Sequence, residues 1–255
     1  MLEVKALSAG YPNKPVLQDI SVTIPAGKVI AILGPNGCGK TTLLKALCGI
    51  LPAQSGQVLL YGVDILALPP RLLARKVAYL AQSRQVPDIT AHRLVLHGRF
   101  PYLGYPRHYR REDHACVQAA MEQMGVWEYR DTLLENLSGG QRQKVYIAMA
   151  LAQGTPVILL DEPTTYLDIS HQLQLLQLAK DLAQQGKTVL MVMHDLPHAF
   201  QTADHVVLLQ DGHIVAEGTP EALYACKRIE DVFHIRLERT LLDSGWHYYC
   251  EEERG

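Results

Sequence analysis

Apolar residues recur along this 255-residue chain in two periods, and the periods predict its elements. Leu2, Val4 and Ala6 alternate with Glu3 and Lys5, the spacing of a half-exposed strand. Residues 10–15 are a turn cluster that holds Tyr11, and 16–24 read as a second strand ended by Pro25-Ala26-Gly27. Three runs do not alternate at all: Val29-Ile30-Ala31-Ile32-Leu33, Pro156-Val157-Ile158-Leu159-Leu160 and Thr188-Val189-Leu190-Met191-Val192-Met193. Continuous apolar character is what strands buried in a parallel sheet require. Shorter strands are predicted at 57–61 and 77–80, and a hairpin at 205–210 and 213–216 around Asp211-Gly212. Helical spacing marks Leu43, Leu44, Ala46, Leu47 and Ile50, with Gly49 and Pro52 as stops. Further helices are predicted over 68–76, 170–185 and 197–202, and a last one begins at Pro220.

Between 83 and 151 the strand signals vanish. Residues 94–97, 111–124 and 141–152 read as helices around the segment Arg99-Phe100-Pro101-Tyr102-Leu103-Gly104-Tyr105-Pro106. The pattern predicts a helical lobe inserted between strands of the sheet. The tail from Cys226, with Trp246-His247-Tyr248-Tyr249 and then acidic residues, carries no recognisable chemistry, and no internal repeat occurs.

Composition narrows the classes. Lys and Arg number 24 against 26 Asp and Glu, so no basic stripe is available for nucleic acid. The five cysteines form no C-x-x-C pair and fit reduced thiols in a cytosolic protein. No apolar run approaches the ~20 residues of a membrane span. The opening Met1-Leu2-Glu3-Val4-Lys5 lacks the apolar stretch of a signal peptide. Work at a membrane would be that of a peripheral subunit.

The strongest chemistry lies after the first buried strand, in Gly34-Pro35-Asn36-Gly37-Cys38-Gly39-Lys40-Thr41-Thr42. Glycines let the backbone curl so that successive N–H groups face one concavity, and the following helix adds its positive end; together they hold a polyphosphate. Lys40 supplies charge for the β- and γ-phosphates, and the Thr41 hydroxyl is a ligand for Mg²⁺. Ligands of open α/β sheets sit beyond the carboxyl ends of strands. There Leu160 leads to Asp161-Glu162, Met193 to His194, and the strand at 77–80 to Gln82. A buried Asp161 is costly unless it meets a cation, and Mg²⁺ supplies one. Glu162 is placed to activate a water, His194 to contact the γ-phosphate, and Gln82 to reach the metal or the water. A second anion-binding helix start is Leu137-Ser138-Gly139-Gly140-Gln141. One nucleotide already has the Lys40 loop, so a second such end implies a nucleotide clamped between two subunits.

On these motifs, over residues 1–225, the chain resembles the ATP-binding subunit of an ATP-binding-cassette (ABC) transporter. The resemblance implies a P-loop NTPase core of mostly parallel sheet with an N-terminal antiparallel sheet. It divides the chain into a nucleotide-binding core (1–82 and 152–225), an inserted α-helical subdomain (83–151) and a tail (226–255). It assigns Tyr11 to adenine stacking, Gly34 to Thr42 to phosphate binding, and Asp161, Thr41 and Gln82 to Mg²⁺. Glu162 becomes the catalytic base and His194 the switch histidine. Ser138, Gly139, Gly140 and Gln141 act in trans, with Asp168 at the dimer interface. His97-Gly98-Arg99-Phe100-Pro101-Tyr102-Leu103-Gly104 and Thr164-Thr165-Tyr166-Leu167-Asp168-Ile169-Ser170-His171-Gln172 are similar to importers of iron–siderophore, haem and cobalamin, with ferric siderophore favoured. The implied cofactors are ATP and Mg²⁺. The implied partners are a second copy in a head-to-tail dimer, permease subunits docking near residues 82–105, and indirectly a substrate-binding protein, all at the cytoplasmic face of the cell membrane. A soluble ABC ATPase working on ribosomes or DNA would be expected to carry tandem cassettes, coiled coils or basic linkers. A P-loop kinase would leave residues 137–141 and 161–168 without purpose.

Overall fold

A computed structural model describes residues 1–82, 86–165, 167–242 and 245–252. In chain order it opens with β1 (Leu2–Tyr11), β2 (Lys14–Ile24) and β3 (Val29–Leu33), then α1 (Lys40–Leu47), β4 (Ala53–Leu60) and β5 (Val63–Asp64). Next come α2 (Pro70–Leu73), β6 (Val77–Leu80), α3 (Ala91–His97), α4 (Arg111–Gln123) and α5 (Gly139–Ala152). The second half runs β7 (Val157–Asp161), α6 (Ile169–Gln184), β8 (Thr188–Val192), α7 (Leu196–Thr202), β9 (His205–Gln210) and β10 (His213–Gly218). It closes with α8 (Pro220–Cys226), α9 (Arg228–Phe233), β11 (Ile235–Leu242) and β12 (Gly245–Glu252).

Two sheets carry the molecule. The six-stranded sheet has the order β10-β9-β3-β8-β7-β6, parallel except for the β9–β10 hairpin. Its central strands β3, β7 and β8 are buried at every position, which is why their sequences do not alternate. Ile30, Ile32, Leu190 and Val207 point into one core with α1 and the N-terminal sheet. Ala31, Leu33, Met191 and Leu208 point into a second core with the helices on the other face. Fully burying each such side chain stabilises by about 1.5–3 kcal/mol. The N-terminal sheet is antiparallel, in the order β2-β1-β4-β5. Between β6 and β7 the helices α3, α4 and α5 pack on one another; the described residues there contain no strand beyond the isolated bridge Thr90–Leu133.

Several expectations are corrected. β1 does not keep the phase Leu2, Val4, Ala6: Ala6 is exposed with φ of 49°, and burial resumes at Leu7 and Ala9. A bulge against β2 absorbs the extra residue and keeps both apolar pairs inward. The turn expected at 10–15 shrinks to Pro12-Asn13, because Tyr11 pairs with Lys14 across the hairpin. The helix expected at 68–76 is the four-residue α2. The helix at Pro220 is not the last element, since α9 and the β11–β12 hairpin follow.

That hairpin belongs to the core. Ile229, Val232, Leu237 and Tyr248 are buried. The Tyr248 ring lies 5.0 Å from Phe200 of α7 and 5.8 Å from Tyr224 of α8. Arg239 stacks its guanidinium over Tyr224 at 4.3 Å and over Trp246 at 4.0 Å. Tyr248→Ala is expected to cost about 3 kcal/mol in urea unfolding, the scale of emptying an aromatic site in a core. A change below about 0.5 kcal/mol, the range of ordinary surface substitutions, would detach the hairpin from the core.

Candidate functional site

The loop after β3 has its shape because side chains are excluded from it. Gly34 has φ of 150°, and a Cβ there would stand 2.2 Å from the Leu209 carbonyl oxygen. Gly39 has φ of 111° and caps α1 without a side-chain hydrogen bond, so the first amides of α1 are left open for an anion. Lys40 is 6% exposed and folds back over the loop, donating from Nζ to the carbonyl oxygens of Gly34 at 2.7 Å and Pro35 at 2.9 Å. The β9–β10 turn braces the loop: Gly212 N–H donates to the Cys38 carbonyl at 3.1 Å, and its own carbonyl accepts from Gln18 at 3.0 Å. Cys38 is buried beneath, and burial pushes its thiol up.

A cleft of about 490 Å³ opens above the loop. Tyr11, Lys14, Gly37, Lys40, Thr41 and Glu162 are among the residues that line it. The structure thus brings residues of the β1–β2 hairpin, the phosphate loop and the end of β7 to one place. Gly34, Pro35, Asn36, Gly37, Cys38, Gly39, Lys40, Thr41 and Thr42 form one continuous turn into α1.

Asp161 ends β7 and is 1% exposed. One carboxylate oxygen accepts from the Thr41 hydroxyl at 3.0 Å, the other from the Tyr79 hydroxyl at 3.0 Å. Burial raises its pKa above the usual carboxylate value; those two hydrogen bonds oppose the shift. Tyr79 is raised in turn, first by burial and then by the Asp161 charge. Next to Asp161, Glu162 has φ of 48°. Its Oε1 lies 2.5 Å from His194 Nε2, and its Oε2 accepts from the Gln82 amide and, at 3.4 Å, from the Thr165 hydroxyl. Gln82, Glu162 and His194, each past the end of a different strand, therefore meet at one carboxylate. Among the described residues no group of three or more His, Cys, Asp or Glu side chains could hold a metal by itself.

The other predicted residues lie apart. Ser138, Gly139, Gly140, Gln141 and Asp168 do not line the cleft. Ser138 and Gln141 form a capping box at the start of α5: Gln141 N–H donates to Ser138 Oγ at 3.2 Å, and Ser138 N–H donates to Gln141 Oε1 at 2.9 Å. Asp168 caps α6, accepting from the His171 backbone and the Ser170 hydroxyl, each at 2.9 Å, with the His171 ring at 2.8 Å. These bonds, the His171 backbone donor foremost, lower its pKa to about 2. The two helix starts are neighbours, because a Cβ on Gly140 would sit 3.7 Å from the His171 ring. Tyr166, singled out in the sequence, lies outside the described residues. Tyr79 and Thr165 escaped the sequence reading. A lone aromatic hydroxyl in the otherwise apolar 77–80 run was the available signal for Tyr79.

The family model described as ABC transporter matches residues 17–165. The iron(3+)-hydroxamate import ATP-binding protein FhuC of Bacillus subtilis is 42% identical over 239 residues, covering 93% of this chain and 89% of its own. The ferric enterobactin transport ATP-binding protein FepC of Escherichia coli is 42% identical, covering 92% and 88%. Among solved structures, a dimeric post-hydrolysis ATP-binding cassette bound to ADP and Pi superposes with a TM-score of 0.76 at 27% identity, covering 86% of this chain and 99% of that one. No helix among the described residues is long and apolar enough to cross a membrane.

The depressed pKa of Asp168 has a defined pH signature. A carboxylate whose folded pKa lies below its unfolded value contributes stability that is present above the unfolded pKa and lost as pH falls through the folded one. Asp168→Asn keeps a capping oxygen and removes the charge. The stability gap between the native chain and Asp168→Asn is expected to be flat above about pH 5 and to shrink as pH falls from 3.8 toward about 2. A gap that does not change with pH would mean the charge adds nothing to the cap.

Proposed function

This chain belongs to the ABC transporter family of ATP-binding proteins, and from that premise we propose that it is the ATP-hydrolysing subunit of a membrane importer of ferric siderophores. The substrate class rests on relatives named for iron(3+)-hydroxamate and ferric enterobactin, each aligned over more than nine-tenths of the chain. The reaction rests on one observation: Glu162 is held by His194 and Gln82 directly after the buried Asp161–Thr41 pair.

The geometry supports the following division of roles. The phosphate loop amides and Lys40 bind the polyphosphate, and Tyr11, 40% exposed at the mouth of the cleft, offers its ring to the base. Thr41 and Asp161 fit Mg²⁺, because the buried carboxylate and the hydroxyl lie side by side and this ion takes one or two carboxylates plus phosphates and waters. When bound, the ion neutralises charge developing on the phosphates. Glu162 accepts the proton of the attacking water. His194 and Gln82 hold that carboxylate in place, with His194 toward the γ-phosphate and Gln82 toward the metal. Residues 1–82 and 152–225 act as the nucleotide-binding core and 83–151 as the lobe that moves against it, ahead of the segment 226–255. A second copy of the chain supplies Ser138, Gly139, Gly140, Gln141 and Asp168, which lie outside this copy's cleft, and completes the site. Permease subunits dock near residues 82–105 on the cytoplasmic face of the membrane and pass the motion to a chelate delivered by a substrate-binding protein.

Glu162→Gln is expected to bind ATP, remain dimeric and hydrolyse it at least about 100-fold more slowly, the scale of losing a general base. Lys40→Ala is expected to lose nucleotide binding and ATP-driven pairing together. Normal turnover of Glu162→Gln would remove Glu162 from the base role. In a strain lacking this gene, uptake of labelled ferric siderophore is expected to fall to background while cobalamin and haem uptake persist; the reverse pattern would move the assignment to the other chelates.

A further inference from the structure

Residues 98–102 do not line the cleft, yet they are bonded on two sides. On one side they grip the end of α5. Gly98 lies flush on that helix, because a Cβ there would come within 2.3 Å of the Met149 carbonyl. Arg99 donates from Nη1 to the Ala152 carbonyl at 2.9 Å, and the Tyr102 hydroxyl donates to the Gln153 carbonyl at 2.9 Å. These are carbonyls that a helix leaves open at its C-terminus. Arg99 is itself locked by a buried ion pair, Nε to Asp113 at 2.9 Å with side-chain exposures of 11% and 7%, and its guanidinium lies 3.9 Å from the Tyr102 ring centroid. On the other side they grip the core. Arg71 and Arg75 each donate to the Pro101 carbonyl at 2.9 Å, and the Arg75 guanidinium also lies 4.9 Å from the Tyr102 ring centroid. Gln153 completes the joint, donating to the carbonyls of Ala74 at 2.5 Å and Val77 at 3.1 Å.

We propose that Arg99 and Tyr102 are positioning residues for the ATPase reaction: they pin the C-terminal end of α5 to the core, so that the lobe turns about this joint and brings the N-terminal end of α5 to the second copy in register. This rests on the two-copy reading given above. α5 has 14 residues. At 1.5 Å per residue it is roughly 21 Å long, so a tilt of about 5° at the pinned end moves the far end by about 2 Å. A misplacement of ~1 Å is enough to cost on the order of 100-fold in rate.

The test uses the full chain. Tyr102→Phe keeps the ring beside both guanidinium neighbours and removes one donor; Arg99→Lys keeps the charge and removes the planar fork. Melting temperature and binding of ATP under monomeric conditions check the fold and the phosphate loop, and both are expected to stay near the parent's values for Tyr102→Phe. ATP-driven dimerisation, read by light scattering in the Glu162→Gln background, is expected to weaken about tenfold for Tyr102→Phe, the scale of one lost hydrogen bond, and further for Arg99→Lys. In the native background kcat is expected to fall while KM changes little. If Glu162→Gln alone stays monomeric with ATP, the two-copy reading falls and the pinning role with it. If it dimerises and both variants match it in dimerisation and kcat, the pinning role alone is overturned. Loss of ATP affinity in the monomer equal to the loss of kcat also overturns it.

Discussion

A carboxylate placed at the end of a fully buried strand is the constraint on which this structure turns. Asp161 has almost no access to water, and an unpaired charge there would cost several kcal/mol or be neutralised. Two hydroxyls answer it, Thr41 from the start of α1 and Tyr79 from β6. Those donors are in reach only because β6, β7 and the β3–α1 turn end at the same edge of one sheet. The parallel order brings the phosphate loop, Glu162, His194 and Gln82 to that edge together. Burial still holds the Asp161 carboxyl above the usual carboxylate range, against the pull of those two hydrogen bonds.

The residues that meet at the candidate site were legible in the sequence where chemistry and period coincide. Continuous apolar runs named β3, β7 and β8; β3 leads into the glycine-rich loop, β7 ends in the buried Asp161, and His194 follows β8. Legibility failed where the backbone departs from its period. The Ala6 bulge shifts β1 by one residue, and no propensity rule marks an alanine at positive φ. Residues 235–242 do carry a partial alternation, Ile235 and Leu237 before Arg239, but the surrounding charges hid a strand that is anchored by aromatic packing. Tyr79 was hidden because its hydroxyl partner is 82 positions away in the chain.

On the two-copy reading proposed above, Ser138, Gln141 and Asp168 would serve both the fold and a ligand. As caps they satisfy the first amides of α5 and α6 within the chain. Each cap also fixes the direction of its helix start, and the two starts stand beside one another at Gly140 and His171. The surface that the proposal gives to a second copy is thus kept in order by hydrogen bonds within one chain. The neighbouring joint at Arg99 and Tyr102 does the same for the far end of α5.

The left-handed backbone of Glu162 carries an evolutionary consequence. A non-glycine residue in that region gives up roughly 1–2 kcal/mol, which glycine at the same position would recover. The same substitution would give up the bonds that His194, Gln82 and Thr165 make to the carboxylate. The strain and the bonds are therefore kept or lost together. Under the role proposed for Glu162, a copy released from the demand for turnover has no reason to keep either, and it would still hold nucleotide but no longer spend it.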